Sequence, residues 1–117
     1  MRPTVLIVDD HAGFRASARA LLEAEGFDVV GEAAGGEQAI GEVERLRPDV
    51  VLLDVQLRDV DGFAVADRLA SEGSAVAVVL ISSREAAAYG RRLDTVPSRG
   101  FIAKLELSGA ALAALVG

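Results

Sequence analysis

The sequence predicts an α/β domain built on a parallel β-sheet. Short runs rich in β-branched residues alternate with longer amphipathic stretches, and this alternation is typical of βαβ units. The run Val50–Leu53 is wholly apolar, as expected for a strand that is buried on both faces of a parallel sheet. The chain has 117 residues and no cysteine, which fits one domain whose core needs no disulfides.

The first elements along the chain are predicted as strand, helix and strand. A β-branched run predicts a strand over about Val5–Val8. The stretch of about Gly13–Glu25 carries apolar residues at helical spacing, and Gly26 ends it as a glycine beyond the last turn. A short strand follows near Asp28–Glu32.

The middle of the chain repeats this pattern, with proline and glycine as the residues that end helices. In order, the predicted elements are a helix from Gly35-Gly36 to Pro48, a strand over about Asp49–Leu53, a loop over Asp54–Gly62, a helix from near Phe63 to Gly73, and a strand over Val76–Ile81.

The last part of the chain is predicted to hold two helices and one strand. Residues Arg84–Leu93 can form a fourth helix, which Gly90 weakens. The fifth strand covers about Gly100–Ala103, and Ser108 suits the N-cap of a short last helix. The apolar residues of that helix are Leu112, Leu115 and Val116.

Charged side chains follow three of the predicted strands. Asp9 and Asp10 follow the first, Asp54 follows the third and Lys104, the only lysine, follows the fifth. Because the carboxyl ends of parallel strands lie along one edge of a sheet, we expect these residues to meet in one crevice. Such a crevice favours a site for a metal ion and a phosphoryl group.

Each of these acids has a specific chemistry and a simpler alternative. Adjacent carboxylates ionise readily when a cation lies between them, and oxygen ligands suit Mg²⁺, so Asp9 and Asp10 are candidate metal ligands. Asp54 is a candidate nucleophile that forms an acyl phosphate, whose charge Lys104 can neutralise. The alternatives are that one of the first two acids caps a helix and that Asp54 starts a turn.

Two polar residues near these acids have weaker signals. Ser82 ends the fourth strand and can hydrogen-bond a phosphoryl oxygen, or it can cap the next helix. His11 adjoins the acids, but a lone histidine at a strand–helix junction is more often solvated, so we assign it no essential role.

The composition excludes several classes of protein. The net charge is −6 and no basic stripe is visible, so we expect no direct binding of nucleic acid by this domain. The apolar runs are too short to span a membrane, and no signal-peptide segment is visible. We therefore expect a cytoplasmic protein that does not insert into a membrane.

These residues resemble a known family over essentially the full chain, residues 1–117. The chain resembles the CheY-like receiver domain of two-component response regulators, most closely the NarL/LuxR-type subgroup. The residues that carry the resemblance, in the family's order and approximate spacing, are Val8-Asp9-Asp10-His11, Asp54 with Asp61-Gly62, Ser82, and Gly100–Lys104 leading to Glu106-Leu107-Ser108.

The resemblance implies a fold and a reaction. The fold is a doubly wound, flavodoxin/CheY-like (βα)5 domain with one five-stranded parallel sheet of order 2-1-3-4-5. Asp54 accepts a phosphoryl group from a sensor histidine kinase or from a small donor such as acetyl phosphate, in a Mg²⁺-dependent reaction. Asp10 and Asp54 bind Mg²⁺ through side chains, Gln56 through its backbone carbonyl and Asp9 mainly through water. The domain is then not an enzyme, and it phosphorylates and dephosphorylates itself slowly at most.

The resemblance also implies a switch. Lys104 and Ser82 contact the phosphoryl oxygens, Ser82 moves inward and Phe101 turns in behind it. The face made by the fourth helix, fifth strand and fifth helix then changes its partner preference. The residues at positions that tune the rate of dephosphorylation are Gln56, Ser83 and Arg84.

The chain departs from the family pattern at two positions, and its length leaves its domain context open. Arg58 and Leu105 stand where the family usually has proline, so we expect a less rigid loop after Asp54 and a trans Lys104–Leu105 bond. Gly117 lies at the expected end of a receiver. The chain is therefore either a stand-alone receiver or a piece of a regulator with a DNA-binding output module, and a homodimer through the switch face stays open.

Three other functions fit the sequence less well. A phosphorylation-independent interaction domain would normally have lost an acid or the lysine, and none is lost here. A phosphohydrolase with Asp54 as nucleophile would use a second aspartate where Gln56 stands. A flavodoxin-like cofactor binder would need a hydroxyl-rich loop in place of Asp9-Asp10.

Overall fold

The computed structural model describes residues 2–116, in which five strands alternate with five helices. The strands are β1 (Thr4–Val8), β2 (Asp28–Ala33), β3 (Val50–Asp54), β4 (Ala77–Ser82) and β5 (Gly100–Ala103). The helices are α1 (Ala12–Ala24), α2 (Gly36–Leu46), α3 (Gly62–Ser71), α4 (Arg92–Thr95) and α5 (Gly109–Val116). Over this part of the chain, none of the helices combines the length and the apolar character that crossing a membrane requires.

The five strands form one parallel sheet in the order β2-β1-β3-β4-β5, which confirms the predicted topology. Val8 of β1 lies beside Leu53 of β3, and Ser82 of β4 lies beside Ala103 of β5. The register places Asp54 level with the residue that follows Val8 of β1 and with Ile102 of β5, two residues before Lys104. The carboxyl edge therefore carries one row of side chains.

Two hydrophobic layers hold this edge in place. Every residue of β3 is buried, as predicted for a central parallel strand. Leu53 packs on the side of α2 and α3, and Leu52 packs on the opposite side with Leu22 of α1 and Leu112 of α5. Each fully buried leucine contributes about 1.5–3 kcal/mol to stability. The strands that carry the row of polar residues are thus anchored from both faces.

Helix ends follow local signals that the sequence displays. Gly26, with a φ of 104°, lies just beyond α1, and only glycine adopts this conformation at no steric cost. Asp61 caps α3, because its Oδ1 accepts a 2.7 Å hydrogen bond from the backbone N–H of Phe63. Ser108 caps α5 through a 3.0 Å hydrogen bond from the backbone N–H of Ala111. These ends agree with the predicted ones to within one or two residues.

The fourth predicted helix is wrong in its extent. Instead of one helix over Arg84–Leu93, a 3-10 turn over Ala86–Ala88 is followed by a break and by the single turn of α4. Gly90 makes the break with a φ of 57°, a conformation that a continuous right-handed helix excludes. Its conformational freedom outweighs the helix propensity of the three preceding alanines, Ala86–Ala88.

Candidate functional site

The predicted crevice forms at the carboxyl edge of the sheet. The side chains of Asp9 and Lys104 leave the ends of β1 and β5 and approach Asp54 at the end of β3. Lys104 Nζ lies 2.6 Å from Asp9 Oδ2 and 3.3 Å from Asp54 Oδ2. The accessible surface of Asp9 is 0% and that of Asp54 is 2%, so the chain's only lysine pairs with two buried carboxylates.

Burial and charge shift the acid–base properties of this cluster. Burial raises the pKa of Asp54, and the nearby negative charge of Asp9 adds to the rise, while the Gln56 N–H and Lys104 oppose it. Burial alone would lower the pKa of Lys104, but the two aspartates outweigh this effect and raise it. Lys104 therefore stays an ammonium at neutral pH, beside a carboxylate that is costly to keep ionised.

The acidic residues leave oxygen atoms for a metal ion. Within residues 2–116, Asp9 Oδ2 and Asp10 Oδ1 are buried, and their polar neighbours are Lys104 for the first and His11 Nδ1 for the second. Buried carboxylate oxygens are stable when a cation or a donor satisfies them. The donor set of three aspartates therefore fits a hard divalent cation such as Mg²⁺.

The loop after Asp54 is tied back to the start of α3. The backbone N–H of Gln56 donates a 3.0 Å hydrogen bond to Asp54 Oδ1, and Gln56 forms a β-bridge with Asp61. The Gln56 side chain is exposed, as are Ser83 and Arg84 at the end of β4. The three predicted rate-tuning residues thus face solvent rather than the buried carboxylates.

Ser82 is held by a residue that sequence reasoning missed. Ser82 is fully buried, and its Oγ lies 2.5 Å from the hydroxyl of Tyr89 and accepts a 3.1 Å hydrogen bond from the N–H of Arg84. The Tyr89 ring contacts the partly buried Phe101, with 5.9 Å between ring centroids. Tyr89 is the only tyrosine and lies in the predicted fourth helix, which hid its contact with Ser82.

Two further residues reach the acids without having been predicted to do so. Arg58 Nε lies 3.1 Å from Asp10 Oδ2, and His11 Nδ1 lies 3.0 Å from Asp10 Oδ1 and 3.1 Å from Asp9 Oδ1. Both side chains are largely exposed, so they border the crevice on its solvent side. The adjacency of His11 to the acids was the only sequence signal for either contact.

Asp59 links the loop after Asp54 to α2. Its two carboxylate oxygens accept hydrogen bonds of 3.0 and 3.1 Å from the backbone N–H groups of Gly36 and Glu37. Gly35 precedes α2 and has no side chain to cap it, so Asp59 supplies the cap from 22 or 23 residues away. These hydrogen bonds lower the pKa of Asp59.

Replacement of Asp59 by alanine should lower the free energy of unfolding by about 1 kcal/mol at neutral pH, the usual cost of a lost N-cap. Folding lowers the pKa of Asp59. The contribution of Asp59 to stability is therefore complete above its unfolded-state pKa, and it is lost as pH falls through its folded-state pKa. Urea unfolding at neutral and acidic pH measures the effect. A deficit that persists unchanged in acid would contradict it, and Asp67→Ala, an exposed acid on α3, is the control.

Comparison with known proteins identifies the relatives of this chain. The sequence model of the response regulator receiver domain matches residues 5–115. A putative transcriptional regulator of Pseudomonas aeruginosa is 37% identical over 102 residues, which cover 87% of this chain and 49% of that protein. The virulence factors putative positive transcription regulator BvgA of Bordetella pertussis is 34% identical, with the same two coverages. This chain spans about half the length of these curated relatives.

A solved structure agrees over nearly the whole chain. The signal receiver domain of the putative response regulator NarL from Mycobacterium tuberculosis is 32% identical and superposes with a TM-score of 0.85. The match covers 99% of this chain and 98% of that one. The resemblance to NarL/LuxR-type receivers that the sequence indicated is confirmed.

Proposed function

The chain belongs to the family of response regulator receiver domains, and from this premise we propose that Asp54 is its phosphoryl acceptor. The observation that carries the proposal is the position of Asp54, buried at the carboxyl edge and 3.3 Å from the only lysine. The proposed donor is the phosphohistidine of a sensor histidine kinase in the cytoplasm. We propose that residues 1–117 form a single receiver domain.

The reaction needs a carboxylate and a positive environment for the transferred group. An oxygen of Asp54 attacks phosphorus, the bond from phosphorus to the donor's nitrogen breaks and the imidazole leaves with the electron pair. Lys104 Nζ is already directed at Asp54, so it is placed to pair with a phosphoryl oxygen. The negative neighbour Asp9 and the burial of Asp54 make the free carboxylate costly, so Lys104 and a bound cation are needed to keep it ionised for the attack.

The metal site supports this reaction. Asp9, Asp10, the side chain of Asp54 and the backbone carbonyl of Gln56 would hold Mg²⁺, with Asp9 acting mainly through water. A bound Mg²⁺ supplies positive charge that neutralises the phosphoryl oxygens. Arg58 contacts Asp10 from the solvent side and must share that carboxylate with the ion.

The switch starts at Ser82. Its hydroxyl is bonded to Tyr89, so a contact with a phosphoryl oxygen requires this pair to rearrange. Tyr89 also contacts Phe101, and a change at Ser82 therefore reaches the surface of α4, β5 and α5. That surface is the proposed output face, through which the domain acts on a DNA-binding module of a longer regulator or on a second copy. Gln56, Ser83 and Arg84, exposed beside the site, are the proposed tuners of dephosphorylation.

Incubation with acetyl phosphate and Mg²⁺ should add one phosphoryl group to the protein, as intact mass measures. The adduct should be absent in Asp54→Asn and in the presence of a chelator, because the nucleophile or the metal is then missing. Asp67→Asn, which changes an exposed acid on α3, should still gain the group. An adduct on Asp54→Asn would place the acceptor elsewhere.

A wild-type protein that gained no mass would be tested with beryllofluoride, which mimics the phosphoryl group without turning over. A beryllofluoride-dependent change in the NMR signals of Ser82 and Lys104 would support the proposal and indicate a short-lived phosphate. The absence of both the adduct and this change would contradict it.

A further inference from the structure

The imidazole of His11 faces into the acidic crevice rather than along the first turn of α1. Its Nδ1 lies 3.1 Å from Asp9 Oδ1 and 3.0 Å from Asp10 Oδ1. The backbone N–H of the same residue donates a 2.8 Å hydrogen bond to Asp9 Oδ1, which fixes where its side chain begins. His11 therefore presents one ring nitrogen to two of the three acids of the metal site.

The spacing of these atoms fits adjacent ligands of one octahedral ion. At metal–ligand bonds of about 2.1 Å, neighbouring ligands of an octahedron lie about 3.0 Å apart. The 3.0 Å distance from His11 Nδ1 to Asp10 Oδ1 matches such an edge. One ligand atom each from Asp9, Asp10, His11 and Asp54 lies within 4.8 Å of all the others, so the four groups converge on one small space.

The second observation is a buried oxygen that meets His11 Nδ1 and no other donor within residues 2–116. Asp10 Oδ1 lies 3.0 Å from Nδ1 and has no other hydrogen bond, and the Asp10 side chain is only 9% exposed. When the imidazole proton is on Nε2, Nδ1 presents a lone pair to this oxygen, and the two repel unless a cation lies between them. The Nε2 edge of the ring can meet water, because the His11 side chain is 64% exposed.

We propose that His11 Nδ1 is a ligand of the metal site at Asp9, Asp10 and Asp54, and that it gives this site a preference for first-row transition ions such as Ni²⁺ and Zn²⁺ over Mg²⁺. The inference rests on the metal site of the proposed function. It adds a nitrogen ligand that a set of carboxylates, a backbone carbonyl and water does not contain.

The selectivity follows from ligand chemistry. Mg²⁺ takes oxygen ligands and keeps several waters, so an imidazole adds little to its binding. Imidazole nitrogen suits zinc, nickel and copper, and the affinity of a mixed nitrogen and oxygen site rises along the first row from Mn²⁺ to Cu²⁺. His11 should therefore raise the affinity for first-row transition ions and have little effect on the affinity for Mg²⁺.

A different role for His11 makes the opposite prediction. If Nδ1 carries a proton and donates it to the two carboxylates, the imidazole competes with every cation for the same oxygens. Loss of the ring would then leave the affinity for all ions unchanged or raise it. Arg58→Ala models this case, because it removes another donor from Asp10 and leaves His11 in place.

Calorimetric titration of wild type, His11→Ala and Arg58→Ala with Ni²⁺ and with Mg²⁺ tests the inference, on protein prepared without a histidine tag. Removing a group that only contacts a metal ligand typically weakens metal binding about tenfold. Removing a direct ligand should cost at least as much, so His11→Ala should weaken Ni²⁺ binding about tenfold or more. Its Mg²⁺ affinity should change little, and Arg58→Ala should bind both ions more tightly. Equal effects of His11→Ala on both ions, or no effect on Ni²⁺, would overturn the inference.

His11 is the only histidine, so nitrogen NMR of its ring gives a second reading. Zn²⁺ should move the Nδ1 resonance, and Mg²⁺ should not. Phosphorylation of wild type by acetyl phosphate in Mg²⁺ separates the two claims. If the phosphoryl group is added but Zn²⁺ leaves Nδ1 unmoved, the inference fails alone. If neither a phosphoryl group nor a beryllofluoride-dependent change appears, the proposed function fails, and the ring resonance still decides the inference.

Discussion

Replacement of Lys104 by methionine should lower the free energy of unfolding by about 3 kcal/mol or more in metal-free buffer at neutral pH, because removing one partner of a buried ion pair leaves an uncompensated charge. Lys104 lies 2.6 Å from Asp9 and 3.3 Å from Asp54, and both acids are almost wholly buried. Methionine keeps much of the volume of the side chain, so the loss reports charge rather than a cavity. Urea unfolding in the presence of a chelator measures it.

The pH dependence of this deficit follows from the pKa shifts. The pKa of Lys104 is raised in the folded state, so its contribution is complete below the unfolded-state pKa as long as the two aspartates are ionised, and it is lost as pH rises through the folded-state pKa. The folded-state pKa of Asp54 is also raised, so this acid takes up a proton in the folded state first as pH falls. The deficit of Lys104→Met should therefore shrink in acid, where fewer carboxylates are left unpaired.

An exposed arginine and a metal ion provide the controls for this result. Arg91→Met, in the exposed segment before α4, should change the free energy of unfolding by less than about 0.5 kcal/mol. Saturating Mg²⁺ should restore part of the stability of Lys104→Met, because the ion replaces the missing positive charge. A Lys104→Met protein as stable as Arg91→Met without metal would show that the buried pair contributes nothing.

Replacement of Gly62 by alanine should destabilise the domain by about 2 kcal/mol or more, within the range for overpacked interiors. Gly62 is buried at the start of α3, and an added Cβ would lie 2.7 Å from the Cα of Val55 and against the carbonyl oxygen of Asp54. These are backbone atoms of the strand end that carries the proposed acceptor. They cannot turn aside as a flexible side chain does, so α3 or the end of β3 must move.

A second glycine offers a matched control. Gly41 lies on an exposed face of α2, and an added Cβ there would meet nothing within 4 Å. Gly41→Ala should raise the free energy of unfolding by about 0.5–1 kcal/mol, since alanine loses less backbone entropy on forming a helix. Urea unfolding of both variants measures the contrast. Similar values for Gly62→Ala and Gly41→Ala would mean that α3 has room to shift away from Asp54.

The residues that were predicted to meet, and the residues that were missed, differ in one respect. Asp9, Asp10, Asp54 and Lys104 all stand at the ends of apolar runs. The direction of each predicted strand therefore shows that these side chains lie at the carboxyl edge of the sheet. Tyr89 and Asp59 lie in irregular segments, where no period relates sequence position to direction. Their contacts with Ser82 and with the N-terminus of α2 span the fold and leave no local signal.

The fourth helix shows the limit of propensity in the same way. Ala86–Ala88 favour a helix locally, yet the segment becomes a 3-10 turn and one turn of α4 on either side of Gly90. Tyr89 turns inward to Ser82 and Phe101 in this segment. Contacts distant in sequence therefore select one of several backbone paths that a glycine and short helical turns leave open.

The sequence by itself determined the parallel α/β fold, the row of charges at its carboxyl edge and the family, because strand period, helix period and strand ends are local properties of the chain. Only the tertiary structure decided which atoms meet there. It placed Lys104 between Asp9 and Asp54, joined Ser82 to Tyr89 and turned the His11 ring towards the acids. These choices depend on distances of a few ångströms between side chains on separate elements, which packing of the whole core sets and local patterns do not encode.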